Sequence, residues 1–269
     1  MVSGKRQGAF MEATLVDTHA HLDFPELNRD LPSVLQRAHR AGVREIVTIG
    51  IDLESSRRAV ELAADHDGVY ATVGIHPHGA HAMEDAVLEE LRRLAGRRKV
   101  VAVGEIGLDY YRDRQPRAVQ RECLLRQVEL ACELGLTAVF HVRDAHADFL
   151  RLMEPFAGRL RRGVLHCFSG DWAVAEAALD KGFYLSIPGT VTYPRAQAQH
   201  EVVKRCPPER LLIETDAPFL APVPFRGKDN EPAHLLYTAQ KIAQIRGCTL
   251  EEVARQTTRN AHEAFGIAH

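Results

Sequence analysis

Nowhere in this 269-residue sequence do about 18 apolar residues run together, so no segment reads as a transmembrane helix. The opening "MVSGKRQGAF" is charged but has no apolar core segment, which argues against a secretory leader. Residues 1–12 are expected to form a flexible tail ahead of one folded unit, residues 13–269. Cysteine is sparse. Cys123, Cys132, Cys167, Cys206 and Cys248 are odd in number and scattered, a usage that speaks against a disulfide framework and for a reduced, cytoplasmic protein. An excess of positive charge is also missing. With a formal net charge of −2, any nucleic acid would have to be met by a local basic patch and not by an overall field. No glycine-rich phosphate turn follows an early strand, which disfavours a doubly wound nucleotide-binding sheet. No repeat, low-complexity tract or linker divides the chain, and nothing in it calls for an obligate protein partner.

What is present is regular. Short β-branched or apolar runs recur at "LVDTHAH" (15–21), "VREIVTIGI" (43–51), "VYATVGIHP" (69–77), "VVAVGEIGLD" (100–109), "TAVFHVR" (137–143), "VLHCF" (164–168), "FYLSIPGTVT" (183–192) and "LLIETDAP" (211–218). Helical periodicity fills the gaps, over Arg57 to Asp65, along Leu88, Leu91 and Leu94, and from Gln120 to Leu134. Gly42, Gly135 and Gly182 fall where helices should end, and "TLEE" at 249–252 is a capping box. Eight alternating units predict an α/β fold, a single-domain (β/α)8 TIM-type barrel of parallel strands.

The fourteen histidines matter by position. His19 and His21 lie two apart in a strand and so share a face. Read the same way, the C-terminal ends of other strands supply Glu105, His141, His166 and Asp216, at the barrel face where such enzymes place their chemistry. Four imidazoles and two carboxylates would be costly to bury together without a cation. Mixed N/O donors suit Zn²⁺, Mn²⁺ or Fe²⁺, and the carboxylates also suit Mg²⁺. Six donors exceed one tetrahedral ion and match two divalent ions, with Glu105 as the shared, catalytically central carboxylate. Asp216 would bind metal and take the proton of the attacking water. The plainer alternative leaves Asp216 as a helix cap.

In order, "DTHAHLD", "GEIGLDYY", "HVRDA", "HCFSG", "LLIETDAPFLAP" and "RGKDNEP" closely resemble the successive motifs of TatD-type metal-dependent deoxyribonucleases, from about Leu15 to Phe265. The resemblance implies a (β/α)8 barrel related to the amidohydrolases and divalent-metal hydrolysis of DNA, commonly as a 3′–5′ exonuclease. It also implies all six residues above as metal ligands. One departure is Asp229 before Asn230-Glu231-Pro232, where the family commonly has arginine.

Around this centre, His76 of "GIHPH" is expected to donate to a phosphate oxygen, and His78 less so because Pro77 can turn the chain away. Arg143 shares the face of His141 and can grip a phosphate, with a salt bridge to Asp144 or Asp148 as the ordinary alternative. Arg112, Arg226 and Lys228 are further phosphate candidates. One of Asp17, Asp109 and Glu214 is expected to orient a ligating imidazole. Cys167 is expected to face the core, and Trp172 to pack at a helix start. The competing activity is C–N or ester cleavage, for example deacylation of aminoacyl-tRNA. Many amidohydrolase barrels bridge two metals with a carboxylated lysine at the end of the fourth strand. Here that place holds Glu105, and Lys99 precedes the strand. A non-catalytic barrel would show lost ligands, and none is lost.

Overall fold

The computed structural model describes residues 14–268, so the expected tail lies outside the described residues. The described residues contain eight strands: β1 (Leu15–Ala20), β2 (Val43–Thr48), β3 (Val69–Val73), β4 (Val100–Asp109), β5 (Thr137–Arg143), β6 (Gly163–Leu165), β7 (Tyr184–Ile187) and β8 (Leu211–Ile213). All pair in parallel, each with the next in sequence. Beyond β8 the chain returns to β1. Asp216 N donates to His19 O and His21 N donates to Ala217 O, both at 2.8 Å, and this closes the ring. The fold is the (β/α)8 barrel expected from the eight units.

Helices cover the outside: α1 (Pro25–Asn28), α2 (Leu31–Arg40), α3 (Leu53–Asp65), α4 (Asp85–Ala95), α5 (Arg117–Leu134), α6 (His146–Leu152), α7 (Trp172–Asp180), α8 (Gln197–Arg205), α9 (Leu235–Arg246) and α10 (Leu250–Phe265). Two begin earlier than the periodicity suggests. Asp52 caps α3 through Ser55, a capping pair one residue type away from the Glu/Gln pattern, and Pro116 introduces α5. The Thr249–Glu252 box opens α10 as expected. Neighbouring strand residues divide between two apolar layers. Leu15, Ile46, Ala138 and Phe140 pack toward the helices, whereas Val16, Val47, Val139 and Leu212 fill the barrel interior with Phe265. Among the described residues no helix is long and apolar enough to cross a membrane.

Six strands stop short of their sequence patterns, β1 by a single residue, and the residues beyond them build the mouth. The second and third runs leave the ladder at Thr48 and Val73. Pro188, which has no N–H to donate, follows the end of β7, and residues 189–192 turn into a 3₁₀ segment. After β6 and β8 the backbone enters the left-handed region at Cys167 (φ 45°) and Asp216 (φ 57°), where a strand cannot continue.

Candidate metal centre

His19 sits at the end of β1 with no exposed surface, its ring stacked on His166 at 3.8 Å between centroids. His21 follows just past the strand. The left-handed turn at Asp216 is pinned by its N–H to His19 O and by Phe219 N–H to Asp216 O, both 2.8 Å. It carries the carboxylate over both rings, with Oδ1 3.6 Å from His19 Nε2 and 3.5 Å from His21 Nε2. Opposite them stands Glu105. Its Oε2 lies 3.6 Å from His19 Nε2, and its Oε1 lies 2.8 Å from both His141 Nδ1 and His166 Nε2. The structure thus brings all six expected residues together, with the two Glu105 oxygens turned to different imidazole groups.

Does this donor set fit a cation? Both ring nitrogens of His19 and Nδ1 of His21 are buried without a hydrogen-bond partner, which costs about 1–3 kcal/mol for each group left so. Burial, and next the charge of His166, hold His19 below the usual imidazole pKa, the neutral state in which a metal takes it. Burial opposes charge on His166 as well, yet Glu105 and then Glu214 raise its pKa well above the usual value. Cationic charge is thus favoured between these carboxylates, a place that suits a divalent cation. The atoms of His19, His21 and Asp216 lie within 4.8 Å of one another, as do those of His76, Glu105 and His141. The residues fit.

Tautomers separate ligand from donor. His76 Nδ1 accepts a hydrogen bond from His78 N–H (3.1 Å), so in the neutral ring the proton is on Nε2. That N–H points into the cluster, 3.6 Å from Glu105 Oε1. His141 is oriented from behind by Asp109, whose Oδ2 lies 3.2 Å from His141 Nε2. Glu214 Oε1 comes within 3.4 Å of His166 Nδ1, an ion-pair contact that leaves this nitrogen without a hydrogen bond, and accepts from Cys167 N–H at 2.6 Å. Of the three carboxylates among which an orienting partner was expected, Asp109 fills that role. The third, Asp17, accepts from Thr215 N–H (2.9 Å) and Oγ1 (2.6 Å), tying β1 to β8, while burial lifts its own pKa to about 7. Asp109→Ala is expected to lower activity about 10–100-fold with a native circular dichroism spectrum. Wild-type kinetics in that variant would remove Asp109 from the centre.

Several expectations need correction. Cys167 does not face the core. Past the end of β6 it lines the cavity, half-buried, and burial pushes its thiol pKa well above the usual value, so it is still no nucleophile. His78 returns to the rim because the 3₁₀ segment Pro77–Ala82 folds the chain back, and its Nε2 meets Asp109 Oδ2 at 2.8 Å. Arg143 lines the cavity over the Tyr111 ring (3.9 Å), and no salt bridge to Asp148 forms because Tyr110, Arg121 and Arg151 hold that carboxylate. Arg112 lines the cavity too, whereas Arg226 stacks on Tyr193 and neither it nor Lys228 is in the wall. In the departing motif, Asn230 Nδ2 donates to Thr215 O (2.9 Å) and Phe219 O (2.7 Å), and Glu231 pairs with Arg37. These two residues strap the β8 loop. Trp172 packs at the start of α7, its Nε1 on Glu176, as expected.

A cavity of about 910 Å³ opens over this cluster at the C-terminal ends of the strands. A parallel barrel with histidines and carboxylates converging there defines a metal-dependent hydrolase of the TIM-barrel class. More narrowly, the chain belongs to the TatD related DNase family, whose model matches residues 16–266. It is 42% identical to the uncharacterized metal-dependent hydrolase YabD of Bacillus subtilis, over 94% of this chain and 99% of the relative. It is 36% identical to a 3'-5' ssDNA/RNA exonuclease TatD of Shigella flexneri, over 94% of this chain and all of the relative. Among solved structures, the TatD homolog YJJV of Escherichia coli superposes with a TM-score of 0.89 at 34% identity, covering 94% of this chain and 98% of the other.

Proposed function

We propose that this chain hydrolyses phosphodiester bonds at the ends of single-stranded DNA, as a 3′–5′ exonuclease in the cytoplasm, with two divalent cations and residues 13–269 as one catalytic unit. His19, His21 and Asp216 would hold one ion, His141 and His166 the other, and Glu105 would serve both. The observation that carries this reading is the placement of Glu105 Oε2 toward His19 and of Oε1 toward His141 and His166. The free state of all five cysteines accords with a reducing compartment. Bound cations, whether Mg²⁺, Mn²⁺ or Zn²⁺, supply Lewis acidity toward water and toward a phosphoryl oxygen.

The chain's own groups do the rest. Asp216 Oδ1, at the cavity wall, accepts the proton of the attacking water. Burial holds His76 neutral, and its Nε2–H donates to a non-bridging phosphate oxygen. The Arg143 guanidinium, flat against Tyr111, presents its edge to a phosphate. The test is metal-depleted protein re-supplied with Mg²⁺, Mn²⁺ or Zn²⁺ against a 3′-labelled single-stranded oligonucleotide, with an aminoacyl ester in parallel. Stepwise release of nucleotides only after metal is added is the expected result. Turnover of the ester alone would move the function to acyl-bond hydrolysis.

A further inference from the structure

The cavity mouth has two unlike walls. In the ring order, β8 and β1 are neighbours, β4 and β5 are neighbours, and the two pairs stand half the barrel apart. Phe24 and Phe219 rise from the β1 and β8 ends with their rings edge to face at 5.7 Å, and Phe219 is 48% exposed. Cations near this wall are already paired: Arg58 with Asp23 and Glu54, and Arg37 with Glu231. From the β4 and β5 ends come Arg112, Arg114 and Arg143, none of which has a carboxylate in salt-bridge range among the described residues. Tyr111 stands with them, 58% exposed beneath Arg143. Among the described residues, Tyr111 and Phe219 are the two exposed large aromatics; Phe219 lines the cavity, and Tyr111 carries the cavity-lining Arg143 on its ring.

An exonucleolytic cut makes two unequal fragments. The terminal nucleotide carries one base and little charge, whereas the retained strand carries a phosphate at every step. Exposed rings suit the first and unpaired guanidinium groups the second. We propose that the terminal nucleotide sits on the Phe24–Phe219 wall with its base stacked on Phe219. The retained strand leaves across Arg143, Arg112 and Arg114, its first base on Tyr111. This inference rests on the phosphodiesterase reading above and adds to it the direction in which the strand crosses the metal centre.

The experiment compares kcat/KM for release of the terminal nucleotide from three substrates: a hexanucleotide, the same strand with an abasic terminal residue, and a dinucleotide. Phe219→Ala is expected to reduce the preference for the intact over the abasic end by roughly tenfold, and Phe219→Trp to restore it. The same variant keeps the preference for hexanucleotide over dinucleotide. The double variant Arg112→Ala/Arg114→Ala is expected to do the reverse, losing the length preference and flattening the salt dependence by about 0.7 in log–log slope per lost phosphate contact. An exchange of the two patterns overturns the direction, and two unmoved ratios overturn the walls as subsites. A wild-type protein that cleaves none of the three overturns the phosphodiesterase reading itself, and this inference with it.

Discussion

Glu105→Gln is expected to lower kcat/KM on a phosphodiester by at least about 10³-fold, roughly 4 kcal/mol of transition-state stabilisation, in a protein that still folds. The carboxylate is almost completely buried, and burial alone would raise its pKa; the His166 charge and hydrogen bonds from His141 and His166 pull it well below the usual value instead. Glutamine keeps the shape but removes a negative charge and turns an NH₂ toward imidazole nitrogens 2.8 Å away. Both imidazole groups lose their shared anion at once. Bound metal, measured by atomic absorption after dialysis, should fall together with activity. Activity within tenfold of wild type, with full metal content, would remove Glu105 from the role of shared ligand. Asp216→Asn is a useful partner, since it affects only the side that holds His19 and His21.

That two such residues can be singled out at all reflects what a sequence makes legible. The barrel shows in the spacing of apolar runs, because each strand must bury both faces, and β4 and β5 match their runs residue for residue. The six clustered residues were visible because each apolar run delivers its last residues to the same end of the barrel, even where the strand itself has ended, and side-chain chemistry does not depend on backbone detail. Features set by chain reversal were not visible. His78 reaches Asp109 only through the 3₁₀ turn that Pro77 starts, and Cys167 faces the cavity only because its φ is positive. Strand parity, which predicts a core position for Cys167, no longer holds once the strand has ended. The roles of Asn230 and Glu231 were hidden for a different reason. Their partners, Thr215, Phe219 and Arg37, are brought to them by the closure of β8 on β1, and Arg37 is far away in sequence.

Backbone fit between β4 and β5 is the other sensitive point of the centre, and Gly107→Ala is expected to expose it. Gly107 pairs with His141 across the ladder at φ +151°, a conformation side chains rarely adopt. A Cβ there would lie 1.9 Å from His141 O and 2.8 Å from His141 C, and these are backbone atoms that no rotamer change can move aside. Strain and overpacking together should cost about 3 kcal/mol or more, lowering Tm by roughly 10 °C in a domain of this size. Relief comes only by pushing β5 outward, which draws His141 away from Glu105. A displacement of about 1 Å is enough to lower turnover about 10²-fold. Gly135→Ala is the control. It too has positive φ (+63°), but no atom lies within 4 Å of the added Cβ, so it should cost only about 1 kcal/mol and leave turnover intact. If the two variants proved equally stable and equally active, β5 could shift without cost, and the rigid spacing of His141 from Glu105 would not be what sets the centre.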